Sequence, residues 1–272
     1  MVKFEVPYNL KPDFVEKFRE RPELLGFIDC FYAAAWKDDC VNTRQGPIFK
    51  DYYPKTYEEY VERLKDLMTL GIPISILAQR GATLKMIEKY IALGIRSFTI
   101  NDDKLAVKIQ QKHPDVSLTR SVTRVLTLED IQDGDYSMYD RIVLFYWFNR
   151  HLDSLGSLPK KYSYVVIPNV GCYYQCPWHD EHWFLNVNSL DEYYKGEEEI
   201  CSKCQAITTK DNQKMSFIQP EDIEFFEPYV AAFKLIDRVD HTDLIIDNLN
   251  AYVTRFRGCP KGRDYYNIGE NS

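Results

Sequence analysis

TYEEYVERLKDLMTLGIPISILAQRGATLKMIEKYIALGIRSFTIN, residues 56–101, holds two helix–strand units in succession. Tyr57, Tyr60, Val61, Leu64, Leu67 and Met68 recur at three- and four-residue spacing, so a helix over 56–70 turns them onto one face. Thr56 stands where an N-cap oxygen is needed, and Gly71 where the helix must stop. An apolar run of strand length follows over 72–78. The order then repeats, with a helix over 83–93 ended by Gly94 and a strand over 97–101. Apolar strands alternating with amphipathic helices are the mark of parallel strands joined by helical crossovers.

Working outward, the same alternation reaches both ends. Upstream, a strand is expected over 3–8, a helix over 12–19 with Pro12 in its first turn, and a strand over 27–33. A long loop, 35–55, then carries Cys40, Arg44, Gly46 and Pro47. Downstream come a helix over 103–112, a strand over 116–122, a helix over 128–133 and strands over 141–147, 163–168 and 229–236. A last helix covers 241–254. This makes about eight strand units, the number a closed barrel needs. The expected fold is therefore α/β, a (β/α)8 TIM-barrel-like single domain over 1–272. A cysteine-bearing insertion, 169–228, lies between strands seven and eight and far exceeds the usual barrel connection. The C-terminal ends of the strands are the face on which such barrels build their sites.

The composition is that of an ordinary globular chain, 45% hydrophobic and 28% charged over 272 residues. A net charge of -7 argues against a surface built mainly to neutralise phosphates. No stretch has the length and apolarity of a membrane helix or the layout of an export signal, so no membrane association is expected. The chain has seven cysteines, four of them in two close pairs, which suits reduced thiols around a metal in a cytoplasmic setting better than a disulfide framework.

Chemistry concentrates in NVGCYYQCPWHDEHWF, residues 169–184, directly after the seventh strand. Cys172 and Cys176 are separated by three residues, and CSKC supplies Cys201 and Cys204. Each pair is close enough for both sulfurs to meet one centre, and four thiolates form a closed soft-ligand site. Zinc and an iron–sulfur cluster both accept that set. The wider first pair, placed at a strand's end, favours the cluster, with zinc as the alternative. Cys30 reads as a packing residue, while Cys40 or Cys259 could replace one of the four.

A helix starting at Pro177 would bring His179 and His182 onto one face, where imidazoles could bind substrate or move protons, His182 being the better candidate. Lys234, Asp237 and Arg238 end the eighth strand. Lys234 and Arg238 would hold an anionic group at the mouth, unless Lys234 instead pairs internally with a carboxylate such as Glu5. Glu5, Asn101, Arg120, Asn149, Asn169 and Asp237 complete the candidate substrate-binding set. No nucleophile–base–acid arrangement suggests a protease, and the two neighbouring histidines lack the HExxH order.

NVGCYYQCPWHDEH resembles the signature of the collagenase-like peptidase superfamily, the unassigned-peptidase family thirty-two. GIRSFTINDD, YDRIVLFYWFNR and FKLIDR resemble its fourth, sixth and closing strand segments. The resemblance implies an α/β barrel and a [4Fe–4S] cluster held by four cysteines. It also implies oxygen-independent hydroxylation of an RNA base or a small molecule rather than proteolysis. His179 stands where many relatives have arginine, and Cys201 and Cys204 form a tighter pair than usual. A homologous partner subunit, with this chain as its non-catalytic half, and a zinc-stabilised barrel serving as a binding module are the rival expectations.

Overall fold

The computed structural model describes residues 2–40, 52–172, 174, 176, 215–236, 241–256, 258 and 260–266. Its strands are β1 (Phe4–Pro7), β2 (Ile28–Ala34), β3 (Ile74–Ala78), β4 (Ser97–Ile100), β5 (Ser117–Arg120), β6 (Arg141–Val143), β7 (Ser163–Val166) and β8 (Ala232–Lys234). They run parallel and close in chain order, β8 returning onto β1 through Phe4↔Phe233 and Glu5↔Lys234. The chain is thus a (β/α)8 TIM-barrel-like α/β fold.

Helices α1 (Phe14–Arg19) and α2 (Pro22–Leu25) follow β1, and α3 (Tyr57–Met68), α4 (Leu84–Ala92), α5 (Asp103–Lys112) and α6 (Leu128–Asp133) follow β2 to β5. A 3-10 turn, Tyr146–Arg150, and the short α7 (Leu152–Leu155) follow β6, and the C-terminal helix, Thr242–Thr254, follows β8. The helix starts are set locally. Thr56 and Thr83 each accept the backbone N–H three residues on, Asp102 accepts two, and Thr127 with Asp130 forms a reciprocal capping box. Gly71 and Gly94, at φ +71° and +92°, turn the chain after α3 and α4 in a conformation that side chains disfavour.

Most strands are trimmed relative to expectation, and β6 and β8 lose the most. β6 ends at Val143, because residues 146–150 coil into the 3-10 turn instead of extending, and β8 begins only at Ala232. Pro228, which has no N–H for a ladder, sits in a 3-10 turn, Glu227–Tyr229, ahead of it.

Alternation along the strands sorts the side chains into two layers. Phe4, Phe31, Ile76, Phe98, Leu118, Ile142, Val166 and Phe233 pack outward against Tyr60, Leu64, Tyr90, Ile109 and Leu249 of the helices. Burying each such aromatic or aliphatic side chain contributes about 1.5–3 kcal/mol.

The alternate residues face the axis. Ser75 and Thr99 approach to 3.4 Å, and Arg141 of β6 reaches across the barrel to hydrogen-bond Asp29 of β2 and lies 3.7 Å from Glu5. Lys234 donates to Glu5 Oε2 at 2.6 Å, and its Nζ lies 3.8 Å from the centre of the Tyr32 ring. Tyr32 spans the interior to donate its hydroxyl to the Leu235 carbonyl. On the β6–β8 side the inward-facing residues turn apolar, with Val143, Val165 and Ala232 packed together. Among the described residues, no helix is long and apolar enough to cross a membrane.

Candidate metal centre

Val143, Phe145, Tyr146, Val165, Ile167, Val170 and Ala232 form an apolar cluster separate from the strand–helix core, with Val122, Val125, Trp147, Cys172 and Ile236 packed on it. Most of these residues lie at or just beyond the C-terminal ends of β5 to β8, so the first cysteine sits on an apolar floor at that end of the barrel. Cys172 and Cys176 are both half-buried, and neither is in a disulfide. Both lie beside the Tyr146 phenol, which is held far above its ordinary range by burial first and then by Cys172 and Cys176. The second pair, Cys201 and Cys204, lies outside the described residues, as do His179, His182, Asp237, Arg238 and Cys259.

Backbone bonds hold the cysteine loop against the returning chain: Ser216 N–H donates to the Cys172 carbonyl and Ile218 N–H to the Pro168 carbonyl, each at 2.8 Å. Asn169 Oδ1 accepts from Ile236 N–H at 3.1 Å, tying the loop to the end of β8. Asn149 is buried, and its Nδ2 donates to the Ile167 and Ser216 carbonyls at 2.7 and 2.8 Å.

Next to the loop stands a second group that sequence patterns left unread. His151 Nε2 lies 2.7 Å from the hydroxyl of Tyr174, the residue midway between the two cysteines. Burial, and then the Arg150 guanidinium, lower the His151 pKa and favour its neutral form. Arg150 stacks at 3.8 Å from the Tyr265 ring centre, and Lys261 Nζ lies 4.1 Å from the same centre while donating to the Phe217 carbonyl at 3.0 Å. Tyr265 itself donates to the Met215 carbonyl at 2.7 Å. The C-terminal segment therefore braces residues 215–217, which in turn hold Cys172. Tyr174, an aromatic between paired cysteines, was the one signal for this group. His151 and Lys261 gave none, since their neighbours come from distant segments.

The remaining sequence candidates fall elsewhere. Glu5 and Lys234 are buried against each other inside the barrel, the internal pairing that the charged end of β8 also allowed. Glu5, Asp29 and Cys30 do bring three ligand-type atoms within 4.8 Å of one another, but Arg141 and Lys234 already neutralise the two carboxylates. Arg120 alternates with the inward Thr119 and so lies in the strand–helix layer. It donates to the Arg124 carbonyl at 2.8 Å, and its Nε is 3.6 Å from Asp103. Asn101 is partly exposed just after β4. Cys40 is buried in the strand–helix core, its thiol directed at the Leu77 carbonyl at 3.9 Å, and burial raises its pKa to about 11.

Comparison with known proteins follows the same lines. The chain is 24% identical over 199 residues to an uncharacterized protease, MJ1657, of Methanocaldococcus jannaschii. The match covers 66% of this chain and 58% of that protein, so the chain spans little more than half the length of this relative. Its fold is similar to that of the U32 peptidase Mk0906, with a TM-score of 0.51 at 12% identity, over 87% of this chain and 93% of that one. No protein-family model matches the chain. The structural likeness shows the shared barrel fold.

Proposed function

We propose that the chain is an iron–sulfur protein that modifies a nucleic-acid base or a small molecule without oxygen, by hydroxylation or a related modification, rather than a peptidase. The observation that carries this reading is the pair of half-buried thiols, Cys172 and Cys176, beside the buried Tyr146 phenol at the C-terminal end of the barrel. Soft thiolate donors fit a [4Fe–4S] cluster, and Cys201 with Cys204 would complete its ligand set. Such a cluster, when bound, supplies one-electron redox chemistry.

The chain's own residues would prepare the place for it. Val143, Val165 and Ile167 keep water from the side of the centre facing the barrel, and a low local dielectric strengthens every charge interaction there. Tyr146, with its pKa far above neutrality, keeps its proton and can donate toward sulfur. His151, neutral and within hydrogen-bond reach of Tyr174, can take or return a proton at that hydroxyl.

Purification under nitrogen, followed by iron, sulfide and zinc analysis and a visible spectrum, tests the reading. Iron and sulfide in equal, near four-atom amounts with a brown chromophore are expected of a cubane. A colourless chain with one stoichiometric zinc would instead make it a zinc-stabilised barrel.

A further inference from the structure

Asn149 lies on the 3-10 turn after β6, and both hydrogens of its carboxamide nitrogen are engaged by backbone from different segments. One goes to Ile167 O at the exit of β7, the other to Ser216 O where the chain returns toward β8. Only 1% of the residue is exposed. Its Oδ1 meets no donor among the described residues. A buried acceptor left unmet is costly, so the two donations account for an asparagine here. The orientation is also determined, because turning the amide over would set its oxygen against two carbonyl oxygens. Ser216, held on one side by Asn149, holds the Cys172 carbonyl through its own N–H on the other.

We propose that Asn149 is a positioning residue for the cysteine loop: its carboxamide ties the exit of β7 to residues 215–218 and so sets where Cys172 presents its sulfur beside Tyr146. The functional weight of this tie rests on Cys172 being a metal ligand, whereas the tie itself does not.

Alkylation of individual cysteines with iodoacetamide, read by mass spectrometry on the full chain before and after metal removal, tests it in the wild type, N149L, N149D and S216A. Leucine removes both donors at similar size, and aspartate turns an oxygen toward two carbonyls. Ser216→Ala keeps every backbone bond and deletes a hydroxyl that has no partner among the described residues. After metal removal, Cys172 in N149L and N149D is expected to react about tenfold faster than in the wild type and S216A, in line with the loss of one or two hydrogen bonds. Cys30 and Cys40, both buried, should stay unlabelled. Where iron is bound, it should pass to a chelator faster in the same two variants.

Equal Cys172 rates in all four proteins would overturn the proposal. So would a joint rise at Cys172, Cys30 and Cys40, which marks general loosening rather than a local tie. A chain purified without iron sinks the cluster reading alone, and the labelling of Cys172 still decides this one.

Discussion

Lys234 Nζ lies 2.6 Å from Glu5 Oε2 at the register position where β8 closes onto β1. Both residues are almost wholly buried, so neither can regain water if its partner is lost. Lys234→Met is expected to lower stability by about 3 kcal/mol, the cost of stranding a buried carboxylate, tempered by Arg141 nearby. Lys234→Met with Glu5→Gln should lose much less than the two single changes combined. Urea unfolding of the four proteins, followed by circular dichroism, measures the coupling. Strictly additive losses would show that the pair does not act as a unit.

Lys261 gives a prediction in pH. Burial first, then Arg150, bring its pKa down from 10.5 to about 8. Between those values the unfolded chain binds the extra proton, so this group makes stability rise with pH through that window. Below it, the folded chain bears the full cost of a crowded ammonium. Lys261→Met should therefore stabilise the protein at neutral pH by about 1–2 kcal/mol, after losing the bond to the Phe217 carbonyl. The advantage should vanish above about pH 10.5. Paired denaturation curves across this range measure the difference, and a difference that did not change with pH would contradict the assignment.

Cys172 packs on the small apolar cluster at the barrel mouth and takes no part in the main strand–helix core. Cys172→Ser and Cys176→Ser should each lose most of the bound metal while the urea midpoint shifts by an amount worth less than about 1 kcal/mol. Metal content and unfolding measured on the same samples test whether centre and fold are separable. Collapse of the barrel in either variant would assign the cysteines a structural role.

How much of this was legible depended on how local each cause is. Helices α5 and α6 match their expected bounds because Asp102 and Thr127 cap them from within the same few residues. The lengths of β6 and β8 were not legible, since a strand ends where its neighbours stop pairing, and at β6 the aromatic run 145–148 reads equally well as strand or turn. The proximity of Cys172 and Cys176 follows from their spacing. The work of Asn149 does not, because its acceptors at Ile167 and Ser216 are backbone atoms that any sequence would supply.

Tyr32 reaches from β2 past β1 to the Leu235 carbonyl just beyond β8 and covers Lys234, so its ring staples the seam at which the sheet closes on itself. The ammonium there is clasped between an aromatic face and the Glu5 carboxylate, which gives the closing strand pairing a polar latch of its own.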